Sequence, residues 1–403
     1  MTDASALESP ALGTSSDDFI APCEVLEPGP SVPPEAVPAP GFAVALSGGG
    51  FRATLCGLGA VRFLAEAGLL SRLRYCSSVS GGSIANGLLA SGYSALASAG
   101  FTGAAFDAQV IAPLIRRITR RSLQRELLRH SWRALGRANR TELLAKALDD
   151  WWFEGRQLGD LPAGVRWIFN AANIYTGVGF AFERDRLGDY VLGHVHASQK
   201  PIRLALAAAA SAAVPGAFAP TDIDAPFPCR GDRRALLLDG GAYDNSGLQP
   251  LEQVTDACLV AVNAGGTFRV GHLGKVPVVR DLQRANAILY RQSTGLRRQM
   301  MVERFRAWEQ ARTENESPPP FARRGVLFGL GTSTEATDEW REGRPEHEEW
   351  RERLVKVATS FDRFDPELCR RLVYRGWWLT GATLSRFHRE LLPERLPAWR
   401  EPF

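Results

Sequence analysis

The first part of the chain alternates short apolar runs with segments whose apolar residues have helical spacing. Residues 42–46 form an apolar run bounded by glycine, which is typical of a buried strand, and helical spacing follows over 52–67. Gly68 can end this helix, and the pattern predicts a second strand over 73–79 and a second helix over 82–90. This order describes one βαβ unit extended by a helix, and it predicts parallel strands in an α/β sheet.

The rest of the pattern predicts more elements of the same class. We expect strands at 165–175, 235–238 and 257–262, and helices at 202–213 and 248–254. From about residue 280 the chain is mainly helical and charged. Asp365 followed by Pro366 is typical of a helix N-cap and first turn.

Composition divides the chain into one domain with two tails. Residues 1–40 are rich in proline, serine, alanine and acidic residues, which predicts a disordered, Pro-rich tail. We expect one folded domain over 41–390, with a basic helical insert at about 101–155. Residues 391–403 would form a C-terminal tail.

The overall composition excludes several classes of protein. With 45% apolar and 23% charged residues and a net charge of +4, the chain can bury a full core. The six cysteines are dispersed and no histidines have zinc-ligand spacing, so we expect buried reduced thiols and no metal. The N-terminus lacks the features of a signal peptide, and no stretch of about 18 apolar residues occurs. The expectation is a cytoplasmic protein without an integral membrane span, which could bind a membrane peripherally.

A serine stands between the second predicted strand and its helix, in the sequence CSSVSGGS. Ser80 has small neighbours, including Ser78, Gly81 and Gly82, as the tight strand-to-helix turn of a nucleophile elbow requires. The usual elbow has glycine two positions before the nucleophile, where this chain has Ser78. Ser80 is the candidate nucleophile, and an ordinary serine-glycine turn is the alternative.

A glycine-rich loop, SGGGFRA, lies between the first predicted strand and its helix. The N–H groups of Gly48, Gly49 and Gly50 could hold the oxyanion of a tetrahedral intermediate. Both loops belong to one βαβ unit, so they leave adjacent strands at the same edge of the sheet. A nucleotide site is disfavoured, because Ala53 replaces the last glycine of a dinucleotide fingerprint and no Walker loop occurs.

An acidic residue ends a later predicted strand, in the sequence LLLDGGAYDN. Asp239 would be presented at the same sheet edge as Ser80 and could accept its proton as a general base. The alternative is a capping or turn aspartate. A histidine triad in α/β-hydrolase order would need a histidine after Asp239. We expect His272, His347 and His388 to be surface or packing residues, because none lies in a loop that suits this role.

In this order the motifs SGGGFRA, SVSGGS and LLLDGGAYDN resemble the patatin-like phospholipase family and its cytosolic phospholipase relatives. The block at 207–220 is similar to another family block, and the resemblance covers about residues 41–265. It implies a three-layer α/β/α patatin-like fold with a mostly parallel central sheet. It also implies a serine hydrolase that cleaves carboxylic ester bonds of phospholipids, lysophospholipids or related glycerolipids through an acyl-enzyme, without a cofactor.

The resemblance also implies roles for single residues. It assigns the nucleophile Ser80, its base Asp239, the oxyanion donors Gly48, Gly49 and Gly50, and Arg52, which would meet the lipid phosphate. Ser78 and Ala53 depart from the family pattern. Two alternatives stay open: a weakly active or inactive lipid-binding or regulatory protein of this fold, and an α/β-hydrolase esterase with a histidine-containing triad.

The predicted helical insert is strongly basic. Between Val110 and Arg140 the chain has nine arginines and one acidic residue, Glu126. Apolar residues alternate with these arginines, so a helix here could lie on an anionic membrane as an interfacial surface or lid. It could also pack its apolar side on the domain and leave the arginines in solvent. No nucleic-acid reader motif is present, so the expected partner is a lipid substrate at a membrane or micelle surface; the oligomeric state stays open.

Overall fold

A computed structural model describes residues 41–130, 140–229, 233–254, 256–266 and 277–402 of the protein. Within these residues one sheet of ten strands organises the chain. In chain order the strands are β1 (Gly41–Leu46), β2 (Leu73–Val79), β3 (Arg166–Asn173), β4 (Gly179–Phe182), β5 (Arg186–Asp189), β6 (Gly193–His196), β7 (Thr221–Asp224), β8 (Arg234–Asp239), β9 (Ala257–Asn263) and β10 (Gly325–Gly329).

The centre of the sheet is parallel and one side of it is antiparallel. The strand order is β10-β9-β1-β2-β3-β4-β5-β6, and β8 pairs with both β3 and β7. The strands from β10 to β3 run parallel, whereas β4 to β8 pair antiparallel. Strands β1 and β9 are buried almost throughout, as is usual for parallel strands that are covered on both faces.

Helices connect the strands and cover the sheet. Those of the described residues are, in chain order, α1 (Gly50–Glu66), α2 (Gly81–Ser98), α3 (Gly103–Phe106), α4 (Ala112–Ile118), α5 (Leu123–His130), α6 (Arg140–Leu148), α7 (Leu204–Ser211), α8 (Gly241–Asp244), α9 (Pro277–Thr313), α10 (Asp338–Arg341), α11 (Glu348–Lys356) and α12 (Pro366–Phe387). Two π-helical turns, Asp107–Ile111 and Asp149–Phe153, continue α3 and α6.

The sheet lies between two helical layers. Successive residues of β1 point to opposite faces. Val44 and Leu46 belong to the main core, with the residues of α1, α2 and α12. Ala43 and Ala45 belong to a smaller core that includes Met301 of α9. The predicted α/β fold with a mostly parallel central sheet between helices is therefore confirmed.

Helices α1 and α12 approach closely because glycine stands where they meet. A methyl group added to Gly59 would collide with the Val373 carbonyl oxygen, and one added to Gly376 would collide with the Cys56 carbonyl oxygen. The glycines thus allow backbone contact between the two helices. This contact anchors α1, whose first residues form the glycine-rich loop, to the C-terminal helix.

Most elements predicted from the sequence are present. The strands at 42–46, 73–79, 165–175, 235–238 and 257–262 are confirmed as β1, β2, β3, β8 and β9, and the helices at 52–67, 82–90 and 202–213 as α1, α2 and α7. Asp365 caps α12 as predicted, because its Oδ1 accepts hydrogen bonds from the N–H groups of Glu367 and Leu368.

The helix predicted at 248–254 is wrong, since only the 3₁₀ turn Gln249–Leu251 forms there. The Asp244 carboxylate accepts hydrogen bonds from three N–H groups that follow it in the chain, which stabilises a turn instead. The sequence also does not predict β4 to β7 and β10. Each of these strands has only four or five residues, which is too short for a clear alternation.

The described part of the basic insert packs its apolar side on the domain. Its buried residues include Leu114, Ile118 and Leu123, and its exposed arginines are Arg116, Arg120, Arg121, Arg125, Arg129 and Arg140. Of the two structures that the sequence leaves open, the packed helix with solvated arginines is therefore the one observed. Residues 131–139 of the insert lie outside the described residues. Among the described helices, none combines the length and the apolar character that a membrane span requires.

The C-terminal segment lies against the domain as far as residue 402. The ring of Trp399 contacts that of Trp377 in α12, with 5.3 Å between the centroids, and the Arg400 carbonyl accepts a hydrogen bond from Arg62 of α1. The predicted C-terminal tail is thus packed on α1 and α12. The N-terminal tail predicted over 1–40 lies outside the described residues.

One cysteine differs from the expectation. Cys56, Cys76, Cys258 and Cys369 are free and buried, but Cys229 is disulfide-bonded. The prediction of reduced thiols is therefore wrong at this position. Disulfides are rare in cytosolic proteins, so this bond gives no support to a cytoplasmic location.

The close contact of α1 and α12 predicts a large effect of one methyl group. We expect Gly376→Ala to lower the free energy of unfolding by about 2 kcal/mol or more, because the methyl group must push the helices apart. Gly295→Ala in α9 is the matched control, since nothing lies within 4 Å of its added methyl group. Alanine should there raise the stability by up to about 1 kcal/mol. Chemical denaturation measures both changes, and equal stabilities would contradict the close packing.

Candidate active site

Strands β2 and β8 approach the same point of β3 from opposite directions. Val79, the last residue of β2, pairs with Asn170 of β3. Asp239, the last residue of β8, pairs with the next residue, Ala171. Because β2 runs parallel to β3 and β8 runs antiparallel to it, their carboxyl ends meet head to head. This meeting places Ser80, which follows β2 directly, beside Asp239.

Ser80 occupies a strained turn between β2 and α2. Its backbone has φ 52° and ψ −119°, a conformation that residues other than glycine rarely adopt. A side chain on Gly81 would collide with the Gly50 carbonyl, and a side chain on Gly82 would collide with the end of β1. The small residues after Ser80 are thus a steric requirement. The Ser80 hydroxyl lies close enough to the Asp239 carboxylate to lower the pKa of that carboxyl group.

A buried polar network supports this elbow from behind. Ser211 Oγ accepts a hydrogen bond from the Ser80 N–H at 3.0 Å and donates one to the Asn170 carbonyl at 2.6 Å. Ser83 Oγ lies 2.8 Å from Ser211 Oγ and 3.0 Å from Ser78 Oγ. Because a buried N–H group needs an acceptor, Ser211 stabilises the strained conformation of Ser80.

Ser78, at the position where the usual elbow has glycine, belongs to the same network. Its hydroxyl is fully buried, donates to the Ile168 carbonyl at 3.0 Å and accepts from Asn86 Nδ2 at 2.9 Å. The Ser78 hydroxyl that departs from the elbow pattern is therefore itself fully hydrogen-bonded. A serine fits here because its surroundings are polar.

Asp239 has almost no contact with solvent, with 6% of its surface exposed. Burial raises its pKa to about 6, against the opposing effects of the hydrogen bond from the Gly241 N–H, at 2.7 Å, and of the nearby Ser80 hydroxyl. At neutral pH the carboxyl group is ionised but more basic than that of an exposed aspartate. This property suits a general base that works near neutral pH.

The glycine-rich loop lies against Ser80. A methyl group added to Gly48 would stand 3.2 Å from Ser80 Cβ. Gly49, with φ 148°, and Gly50, with φ 60°, have backbone conformations that favour glycine. The Gly48 N–H already donates to the Asn245 carbonyl at 3.0 Å. Within the described residues the N–H groups of Gly49 and Gly50 have no acceptor, so they are free to bind a ligand.

Arg52, in the first turn of α1, is buried and bound inside the protein. Its Nε donates to the Ala264 carbonyl at 3.0 Å, its Nη2 donates to Thr359 Oγ1 at 3.0 Å, and its Nη1 donates to the Val357 carbonyl. Burial lowers the pKa of this guanidinium from its usual value. All three acceptors are neutral groups, namely two carbonyls and a hydroxyl. Among the described residues, the Arg52 guanidinium therefore forms these hydrogen bonds and no ion pair with a carboxylate.

Sequence reasoning missed several residues of the site. Ser211 stands in the alanine-rich block at 207–220, and Asn245 is the last residue of the motif LLLDGGAYDN. The Asn245 side chain lies beside Tyr290 of α9, whose pKa is raised to about 12 by burial and by the nearby Asp239. Ser211 and Asn245 stand in sequence blocks that carry the family resemblance, so they could have been considered as site residues. Nothing in the local sequence around Tyr290 indicates that it lies near Asp239.

The histidines that follow Asp239 do not complete a triad in the described structure. His388 Nε2 lies 3.2 Å from the carbonyl of Gly325, which begins β10, so this ring is at the edge of the sheet opposite to Ser80. His347 precedes α11 and lies near the surface. His272 lies outside the described residues. No group of three or more histidine, cysteine, aspartate or glutamate side chains that could hold a metal ion occurs in the described ranges.

The family model of the patatin-like phospholipases matches residues 44–252, which is more than half of the chain. The chain belongs to the patatin-like phospholipase family. The resemblance seen in the sequence is thereby confirmed. The match includes the glycine-rich loop, Ser80, Ser211 and Asp239, whereas Tyr290 and the acceptors of Arg52 lie beyond it. A comparison with curated proteins found no match.

Several solved structures are similar to this chain at low sequence identity. Human GIVD cytosolic phospholipase A2 is 13% identical, with a TM-score of 0.51, over 88% of this chain and 60% of that chain. VipD from Legionella pneumophila is 16% identical, with a TM-score of 0.36, over 87% of this chain and 68% of that chain. The similarity to the human protein supports the fold alone, and this chain spans 60% of its length.

The raised pKa of Asp239 predicts that stability depends on pH. Since the folded-state pKa of about 6 exceeds the usual 3.8, folding favours the protonated carboxyl, and ionisation destabilises the fold as the pH rises through about 6. We expect Asp239→Asn to raise the stability at about pH 8 by a free energy on the order of 2 kcal/mol, and to change little at about pH 4. Thermal unfolding measures this effect. A lower Tm of the variant at the higher pH would speak against a buried carboxylate.

Proposed function

We propose that the protein is a lipid acyl hydrolase, which cleaves carboxylic ester bonds of phospholipids, lysophospholipids or related glycerolipids. Its membership of the patatin-like phospholipase family supports lipid hydrolysis. The observation that carries the residue assignment is the position of Ser80 beside the buried Asp239 carboxylate, where β2 and β8 meet on β3; the pKa of this carboxyl group is about 6. In this proposal Ser80 is the nucleophile and Asp239 is the general base.

In the first step, Ser80 Oγ attacks the ester carbonyl carbon and its proton passes to the Asp239 carboxylate. The N–H groups of Gly49 and Gly50 stabilise the negative oxygen of the tetrahedral intermediate. When this intermediate collapses, the ester C–O bond breaks and Asp239 returns the proton to the departing alcohol. The acyl group is then ester-linked to Ser80.

In the second step, water attacks the acyl-Ser80 ester with Asp239 again as the base. The fatty acid leaves and the Ser80 hydroxyl forms again. Neither step calls for a metal or an organic cofactor. Ser80 and Asp239 are only 5% and 6% exposed, so a lipid must displace covering residues before it reaches them.

We also propose that the exposed arginines of α4, of α5 and of the turn between them bring the protein to an anionic lipid surface. These two helices contact the segment before α12, because the Gln124 N–H donates to the Phe361 carbonyl and the Phe364 N–H donates to the Ile118 carbonyl. The ring of Phe361 in turn contacts Phe51 of α1, with 5.3 Å between the centroids. The basic surface therefore lies near the start of α1. Since the apolar side of the insert is buried, attraction between charges would dominate this contact.

The hydrolase is tested by acyl release from phospholipid vesicles and from p-nitrophenyl butyrate, a soluble ester. We expect Ser80→Ala and Asp239→Asn to lower kcat by about 10³-fold or more on both substrates, because each change removes one partner of the proton transfer. In the wild type, kcat/KM should rise with pH to half of its maximum near pH 6, since only ionised Asp239 accepts the proton.

Ser94→Ala, which changes an exposed serine of α2, is the control and should behave as the wild type. A fluorophosphonate probe should label the wild type and Ser94→Ala, but not Ser80→Ala. Continued hydrolysis by folded Ser80→Ala would exclude this nucleophile. A wild type that neither labels nor hydrolyses would favour a lipid-binding protein.

The membrane contact is tested by sedimentation with vesicles of anionic or of neutral lipid. We expect Arg116→Gln combined with Arg120→Gln to weaken binding to anionic vesicles about 30-fold, since each charge near such a surface contributes about 1 kcal/mol. Hydrolysis of p-nitrophenyl butyrate should stay unchanged. The control removes the same charge elsewhere, at exposed Arg341 and Arg395. Equal loss in both double variants would show that only net charge matters and would contradict a specific surface.

A further inference from the structure

The guanidinium of Arg52 joins two segments that are far from it in the chain. One segment contains Ala264, directly after β9. The other is residues 357–361, directly after α11, which include Val357 and Thr359; we call this segment the strap. Arg52 donates to the carbonyls of Ala264 and Val357 and to the hydroxyl of Thr359. Each of the three guanidinium nitrogens therefore has an acceptor inside the protein, and the residue is only 2% exposed.

The first of these segments packs on the glycine-rich loop. A methyl group added to Gly49 would collide with the Ala264 carbonyl oxygen, which is the acceptor of Arg52 Nε. The Ala264 N–H donates to Ser47 Oγ at 2.8 Å, and the Ser47 N–H donates to the Val262 carbonyl at 3.1 Å. Arg52 and Ser47 thus hold Ala264 from both sides, directly beside the Gly49 backbone.

The strap packs on the other side of the same loop. The Ser360 carbonyl accepts a hydrogen bond from the Phe51 N–H at 3.0 Å, and a methyl group added to Gly50 would collide with the backbone of Ser360. Phe361 stacks edge-on against Phe51. The strap therefore occupies the Phe51 N–H, whereas the N–H groups of Gly49 and Gly50 have no acceptor among the described residues.

A lipid phosphate could reach Arg52 only if this arrangement opened. Three of the five guanidinium N–H groups already have acceptors and the residue is 2% exposed, so the phosphate would have to move the segments that cover Arg52, of which the strap is one. Leaving a buried guanidinium without acceptors is costly, so its three internal bonds resist such a movement. The same bonds suit a side chain that fixes the backbone around it.

We propose that Arg52 is a positioning residue, which holds Ala264 and the strap against the glycine-rich loop so that the Gly49 and Gly50 N–H groups stay beside Ser80. In this role it does not bind the lipid phosphate. The inference rests on the proposed Ser80 and Asp239 hydrolase, and it predicts equal importance of Arg52 for substrates with and without phosphate.

The kinetic test compares dihexanoyl phosphatidylcholine with p-nitrophenyl butyrate, which has no phosphate. We expect Arg52→Gln to lower kcat by the same factor on both, about 10²-fold, as when an oxyanion donor is lost, with KM changed less than about twofold. Arg52→Lys should recover little activity, because one ammonium group cannot reach three diverging acceptors. A raised KM for the phospholipid alone, with ester hydrolysis intact, would overturn the proposal.

A second measurement does not depend on activity. In Arg52→Gln, hydrogen exchange should speed up at the Phe51 and Ala264 N–H groups and stay unchanged in α12. Thr359→Val, which removes one acceptor, should have a smaller effect of the same kind, and Arg341→Gln should have none. Unchanged exchange in folded Arg52→Gln would overturn the proposal. A wild type inactive on both substrates would overturn the hydrolase instead, and exchange alone would then decide whether Arg52 holds the loop.

Discussion

The carboxyl ends of β2 and β8 meet at neighbouring residues of β3, and the properties of the site follow from this meeting. The chain has to turn sharply after β2 to begin α2, so Ser80 takes a positive φ. Such a conformation costs on the order of 1–3 kcal/mol unless the surrounding structure holds it. The same meeting buries the Asp239 carboxylate. Strain at the proposed nucleophile and desolvation at the proposed base thus have one geometric cause.

The surroundings hold the strained turn through close contact and through hydrogen bonds. Gly81 lies so near the Gly50 carbonyl that the elbow and the glycine-rich loop can approach only without side chains. Ser211 accepts the Ser80 N–H and is itself fixed by the Asn170 carbonyl. Packing alone would leave that N–H unsatisfied, so the polar network is needed as well as the small residues. The glycine-rich loop, the end of α7 and β3 therefore set the geometry around Ser80 together.

The local part of this arrangement could be predicted from the sequence, and the long-range part could not. Apolar spacing and glycine positions predict the order β1-α1-β2-α2, which brings the glycine-rich loop and Ser80 to one edge of the sheet. The sequence also predicts a strand that ends at Asp239, but its antiparallel direction depends on the pairing with β3. The acceptors of Arg52 lie 212 to 307 residues further along the chain. No local pattern can indicate that this guanidinium is already bound.

The place of Arg52 also matters for the basicity of Asp239. A guanidinium paired with this carboxyl would lower its pKa by roughly 1–3 units and make it a weak base at neutral pH. Arg52 donates to neutral acceptors instead, and burial remains the largest influence on the pKa of Asp239. Tyr290 lies near both charged groups, so Asp239 raises the pKa of Tyr290 and Arg52 lowers it. The carbonyl and hydroxyl acceptors keep the Arg52 guanidinium close to the glycine-rich loop. Because these acceptors are neutral groups, Arg52 does not pair with Asp239, and the proposed base keeps its raised pKa.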